Sequence, residues 1–180
     1  MPPASPSPLP PPLDAAGPYR VCLVCLGNIC RSPMAEVVLR AQLAAAGLAG
    51  QVAVDSAGTA PWHVGQPMSS RACGALARRG LDGEPHRARQ FEAAWLADRD
   101  LVLAMDSGNL QSLKAMKSGS PGRTVTSQSS RVRLFGDVAG LAGADVPDPY
   151  GGNPVEFARV LDLLHGAMPS LVAQLARVVV

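Results

Sequence analysis

The chain has 180 residues, of which 47% are hydrophobic and 17% charged, and its net charge is +2. That length suits a single domain with a core large enough to stand without staples or a structural metal. So small a charge gives no footprint for nucleic acid, and no run of about 18 apolar residues is present to span a membrane. The cysteines (Cys22, Cys25, Cys30 and Cys73) are too few and too unevenly spaced for a secreted disulfide scaffold. The N-terminus lacks the basic start and apolar stretch of a secretory signal. Both features point to a reducing, cytoplasmic compartment.

Residues 1–18 carry eight prolines and read as a disordered, solvated and dispensable tail, which leaves residues 19–180 as the folded domain. From Tyr19 the pattern changes. Val21-Cys22-Leu23-Val24-Cys25 is the continuous apolar run of a strand buried on both faces. Asn28 to Pro33 is turn-like, with Ser32 as expected N-cap and Pro33 at the first helical position. Met34 to Ala46 has helical spacing and stops at Gly47. Val52-Ala53-Val54 is a second strand, followed by a loop over Asp55 to Pro67. Ser69 to Arg79 reads as a helix ended by Gly80, and Phe91 to Ala97 as a short one. Leu101 to Met105 is a third strand, Asp106 to Met116 a helix, and Val132 to Phe135 a fourth strand. Lys114 to Arg133 is rich in Ser, Thr and Gly and reads as a flexible loop. Pro154 opens a last helix to about Val178, with a bend or break expected at Pro169. Strands alternating with helices imply a doubly wound α/β fold, a parallel sheet with helices on both faces. In such sheets ligands bind beyond the C-terminal strand ends, where strand order reverses.

The loop after the first strand has the composition of an anion site. It reads Cys25-Leu26-Gly27-Asn28-Ile29-Cys30-Arg31-Ser32 and leaves a buried strand to enter a helix. Its backbone N–H groups and the helix N-terminus can converge on a tetrahedral anion. Those donors and Arg31 would stabilise a Cys25 thiolate, the reactive form of the side chain. The Arg31 fork matches two phosphate oxygens. Gly27 permits close backbone approach, and Asn28 can hold an unusual φ. Ser32 can donate a hydrogen bond to the thiolate. A bare C-x5-R spacing is weak evidence; at a strand-to-helix junction, with glycine, asparagine and serine inside it, the signal is specific. No Walker-type G-x4-G-K-[ST] occurs. Transfer from a phosphate ester also needs a proton donor for the leaving oxygen. Asp148, stiffened by Pro147 and Pro149, is the candidate general acid and base and must hold its proton when substrate is bound.

These motifs resemble those of the low-molecular-weight protein tyrosine phosphatases. The match includes C-L-G-N-I-C-R-S with P-M-A-E after it, V-D-S-A-G-T at Val54 to Thr59, H-R-A-R-Q at His86 to Gln90, M-D-S-G-N-L at Met105 to Leu110, and D-P-Y-G at Asp148 to Gly151. The resemblance implies a flavodoxin-like fold with four parallel strands and a two-step reaction without metal or other cofactor. Cys25 would attack phosphorus while Asp148 protonates the phenolate, and the phosphocysteine would then be hydrolysed. Asn28, Ser56 and His86 would form the polar network under the phosphate loop, whose other members are Leu26, Gly27, Ile29, Cys30 and Ser32. Trp62 and Tyr150 would wall the substrate slot; Gly151 stands where many members have a second tyrosine. Cys30 would form a reversible disulfide protecting Cys25. The implied partners are phosphotyrosine proteins or peptides, with inorganic phosphate as product, and a monomer is expected.

Three other readings share the loop. An arsenate reductase needs two further downstream cysteines, and only Cys73 follows. A protein-arginine phosphatase tends to carry threonine where this chain has Ile29, whose branched side chain should favour a flat phenyl ring. A non-catalytic anion-binding module would have no need of Cys25, Arg31, Ser32 and Asp148 together.

Overall fold

A computed structural model describes residues 8–117 and 131–179. The first strand, β1 (Tyr19–Cys25), lies at the centre of a four-stranded sheet. It is flanked by β2 (Val52–Gly58) and β3 (Leu101–Ala104), and β4 (Val132–Leu134) lies outside β3. All pairings are parallel, with Cys25 opposite Gly58 and Val24 opposite Ala104. Between the strands run α1 (Arg31–Ala45), α2 (Ser70–Ala77), a 3₁₀ turn (Ala93–Ala97) and α3 (Ser107–Lys117); the short α4 (Phe135–Val138) and the long α5 (Pro154–Val179) follow. The expected four-stranded parallel α/β fold is therefore present, with chain reversal between β2 and β3 on either side of β1.

Alternation along the strands divides the core in two. Val21, Leu23 and Cys25 of β1, with Leu101 and Leu103 of β3, pack under α1, α2 and α5. Cys22, Val24, Val102 and Ala104 face the other way, toward Phe91, Leu96 and Leu113. With both faces covered, the strands need the unbroken apolar runs seen in the sequence. β2 runs past the expected Val54 to Gly58. Polar Asp55 and Ser56 obscured this extension, and both are held by side chains in the fold.

Two expectations fail for identifiable reasons. Pro169 does not break α5, which continues from Pro154 to Val179. A proline removes the N–H that would serve the carbonyl four residues back. That carbonyl, on His165, instead accepts from Gln42 Nε2 of α1 at 3.2 Å. Buried Leu164, Ala167 and Met168 before the proline, with Leu171 and Leu175 after it, hold one continuous face against the core.

The second correction concerns the N-terminal segment. Residues 1–7 lie outside the described residues, but residues 8–18 are not a solvated tail. Pro10 is buried, and Leu9 packs against the larger core cluster. The buried Tyr19 hydroxyl donates to the Pro10 carbonyl at 2.9 Å. Burial, reinforced by the charge of Asp100, raises the pKa of that phenol. Arg131 and Arg133 donate to the carbonyls of Pro11 and Pro8, each at 2.9 Å. Asp100, only 3% exposed, accepts the Leu13 N–H at 2.5 Å and the Arg20 N–H at 2.7 Å. Extended proline-rich backbone has no internal partners for its carbonyls, and the arginines before and within β4 supply them. Of the expected Lys114–Arg133 loop, residues 118–130 also lie outside the described residues.

Deleting residues 1–14 should lower stability by about 2 kcal/mol, the worth of a buried hydrogen bond and a charge-assisted one offset by the ordering entropy they repay. Urea unfolding checks this; an unchanged midpoint would show the segment to be dispensable.

Candidate active site

The loop from Cys25 to Arg31 sits at the C-terminal end of the central strand and opens directly into α1. Its shape is set by Asn28, fully buried and in the left-handed region at φ 57°. The side chain explains the tolerance of that conformation. Asn28 Nδ2 donates to Ser32 Oγ and Ser56 Oγ, each at 2.9 Å, and Oδ1 accepts the Arg89 N–H at 2.8 Å. Asn28 N–H in turn donates to Cys25 Sγ at 3.3 Å. Gly58, at the end of β2, allows the loop to lie close: a Cβ there would come within 2.6 Å of the Leu26 carbonyl. Thr59 and Ala60 then donate their N–H groups to the carbonyls of Cys25 and Leu26.

Ser32 is not the helix cap. Cys30 occupies that position without a side-chain bond, and α1 begins at Arg31. The Ser32 hydroxyl is committed inside the loop instead, 3.0 Å from Cys25 Sγ and 3.3 Å from the Ala57 carbonyl. Its oxygen accepts from Asn28, and its one hydrogen has two acceptors in reach, the Ala57 carbonyl and, at the shorter distance, the Cys25 sulfur. Cys30 is 4% exposed. Burial raises its pKa first of all; proximity to Cys25 and Asp148 adds to this while a Ser69 bond opposes it, and the thiol is pushed up to about 11. It stays protonated at neutral pH, so it is no rival nucleophile at rest.

Arg31, 3% exposed, is gripped from two sides. Nη1 meets Asp106 Oδ2 at 2.5 Å and the Val146 carbonyl at 3.1 Å, and Nη2 meets Asp148 Oδ2 at 3.0 Å. Asp148 Oδ1 accepts the Tyr150 N–H at 3.1 Å, so both carboxylate oxygens are placed. The segment carrying them is tied to the sheet through Val146 N–H and the Met105 carbonyl. Asp106 was not singled out from the sequence. Its signals were its place two residues past β3, at a strand end beside the reversal of strand order, and its membership of the M-D-S-G-N-L stretch. His63 and Glu36 were likewise missed: His63 lies against Gly27 and lines the site, and Glu36 accepts from Ser56 Oγ at 2.5 Å.

A pocket of about 130 Å³ is bounded by Cys25, Ile29, Arg31, Trp62, Asp148 and Tyr150 among others. Trp62 and Tyr150 are 67% and 66% exposed, two apolar flanks around a polar floor. Ser56 and His86 lie behind the loop and not in the pocket. Thus the residues singled out from sequence converge, either on the pocket or on the network beneath it.

A loop running from a cysteine to an arginine, at the C-terminal end of the central strand and opening into a helix, has the geometry of an anion site. Residues 20–180 match the family model described as low molecular weight phosphotyrosine protein phosphatase. A low molecular weight protein-tyrosine-phosphatase of Streptomyces coelicolor is 41% identical over 155 residues, 86% of this chain and 92% of the relative. The crystal structure of a protein tyrosine phosphatase from Entamoeba histolytica, with Hepes in its active site, superposes with a TM-score of 0.79 at 30% identity, covering 88% of this chain and 97% of that one. The YwlE arginine phosphatase, in a mutant with a phosphorylated active-site serine, superposes at 0.76 with 26% identity over 88% and 96% of the two chains. The chain belongs to the low-molecular-weight phosphotyrosine protein phosphatases, a family of hydrolases.

His86 ties the network to pH. It is half-buried and donates Nε2–H to the Asn28 carbonyl at 2.7 Å. Burial lowers its pKa, and this outweighs the raising effects of the carbonyl bond and Glu36. A histidine with a depressed folded pKa binds fewer protons folded than unfolded, so its contribution is present above the unfolded value of about 6.5 and is lost as pH falls below it. Wild-type stability should therefore decline on acidification from about pH 6.5, and His86→Gln should flatten that slope. An identical slope in chemical-denaturation midpoints against pH would refute this role.

Proposed function

We propose that this phosphatase hydrolyses phosphotyrosine through a phosphocysteine on Cys25. The observation that carries the reading is the convergence on Cys25 Sγ of the Asn28 N–H and the Ser32 hydroxyl, inside a pocket that Asp148 and two aromatic side chains also border. Cys25 thiolate attacks phosphorus and an S–P bond forms as the P–O bond to tyrosine breaks. Asp148 gives its proton to the departing phenolate. Water then attacks phosphorus, Asp148 takes up its proton, and cleavage of S–P releases inorganic phosphate and restores the thiolate. Arg31 and the loop N–H groups oppose the charge on the equatorial oxygens in both steps. A phosphate bound here competes for the same guanidinium that holds Asp148, so substrate would release the carboxylate as it arrives. Asp106 and the Val146 carbonyl keep the arginine aimed while that exchange occurs.

Ile29 forms part of the pocket and supports phosphotyrosine over phosphoarginine, because a flat ring tolerates a branched neighbour better than a guanidinium with donors to satisfy. Cys73 does not border the pocket, which removes support from a reductase that relays electrons through further thiols. A reducing compartment, expected from the cysteine usage, would keep Cys25 in its working state. Cys30, which borders the same pocket as Cys25, would trap an oxidised Cys25 as a disulfide, with the oxidant supplying the first step and loss of water the second.

Cys25→Ser should abolish release of phosphate from an aryl phosphate in excess EDTA, while wild type turns over. Asp148→Ala should lose roughly 10²–10⁴-fold in kcat, and less with a leaving group already stable as an anion; an equal loss across leaving groups would count against Asp148 as acid. After peroxide treatment, thiols should restore wild type more completely than Cys30→Ser. Matching recovery in the two would dispose of the protective role.

A further inference from the structure

The far side of the Asp148–Tyr150 segment holds a second cavity that the reaction does not use. It has a volume of about 500 Å³ and shares Asp148 and Tyr150 with the phosphotyrosine slot. Its apolar lining comes from Pro147, Pro149, Val160 and Leu163, and its cation is Arg159 on the first turns of α5. Pro149 and Val160 are buried and make a fixed floor. Gly152 lines the cavity too, and the Glu156 carboxylate fills the space a Cβ there would take.

Arg159 is exposed and makes no ion pair or hydrogen bond among the described residues. The acid beside it, Glu156, is already engaged: its Oε2 accepts the Asn153 N–H at 2.6 Å at the start of α5. The groove thus presents an unpartnered guanidinium at the edge of an apolar surface continuous with the catalytic slot. Extended polypeptide advances about 3.3 Å per residue, so residues one to three positions from a phosphotyrosine seated on Cys25 can cross the Tyr150 edge.

We infer that this groove is a recognition subsite for the substrate polypeptide, taking an apolar side chain on the Pro149, Val160 and Leu163 surface and an acidic side chain at Arg159. The inference rests on the phosphotyrosine reading above and adds what that reading lacks, a basis for choosing among phosphorylated sites. Exposed ion pairs are worth little, so Arg159 sets a preference and not an absolute requirement. Its contribution should also weaken as salt is raised.

The test compares kcat/KM for phosphotyrosine peptides that differ only in carrying glutamate or glutamine within three residues on either side. Wild type, Arg159→Ala and Arg159→Glu are measured with these peptides and with an unflanked aryl phosphate. Wild type should prefer a glutamate peptide over its glutamine partner. Arg159→Ala should lose about 2–5-fold on that peptide, the range of an exposed ion pair, in KM and not kcat, and Arg159→Glu should lose more. Neither variant should change on aryl phosphate or on the glutamine peptide. Equal behaviour of the three proteins on both peptides, or a loss that aryl phosphate shares, overturns the subsite. Failure of wild type on aryl phosphate itself would instead strike the catalytic reading beneath it.

Discussion

Asn28 is the residue on which the catalytic end of the molecule depends. Every polar group it owns is used: N–H to the Cys25 sulfur, carbonyl to His86, amide hydrogens to Ser32 and Ser56, amide oxygen to the Arg89 N–H. The backbone accepts a left-handed φ that only glycine or a self-satisfying polar residue holds cheaply. In return, the loop is fixed in one shape before any anion reaches it. Preorganised donors need no rearrangement as charge develops, which is where their advantage over water lies.

Around that pin the charges are arranged as a chain and not as isolated pairs. Asp106 holds one arm of Arg31, Asp148 the other, and Asp106 also accepts the Asn109 N–H at the start of α3 at 2.7 Å. Asp145 ties the same region together by accepting from the N–H and hydroxyl of Ser107, each at 2.9 Å. The loop bearing Asp148 is therefore anchored to the third strand and its helix by both backbone and carboxylate. The proposed general acid, carried on a loop, gains precision from such anchoring. The second acid on Arg31 matters for a different reason: Asp106 keeps the buried guanidinium paired and aimed whichever way Asp148 moves.

Much of this was legible in the sequence. An apolar run ending in Cys25, followed by glycine, asparagine and arginine and then helical spacing, specifies strand, anion loop and helix in a single stretch. The aspartate between two prolines would pass alone for an ordinary turn residue and stood out only beside the Cys25 loop. What escaped were features whose meaning depends on a distant partner. Ser32 looked like a cap because serine before proline so often is one, whereas its hydroxyl is claimed from within the loop. Pro169 looked like a break because the side chain that replaces its missing donor, Gln42, lies on another helix. Asp106 was one acid among fourteen acidic residues until the fold brought it onto Arg31. The proline-rich segment looked solvated because the arginines that satisfy its carbonyls lie more than a hundred residues further along the chain.

That segment has a geometric consequence. Asp100 and Arg131 precede β3 and β4, so the chain from Pro8 to Pro18 lies across the end of the parallel sheet where strands begin. The phosphate loop lies where they finish. Anything held against the face that Pro8 to Pro18 covers would leave the catalytic mouth open at the opposite end of the sheet.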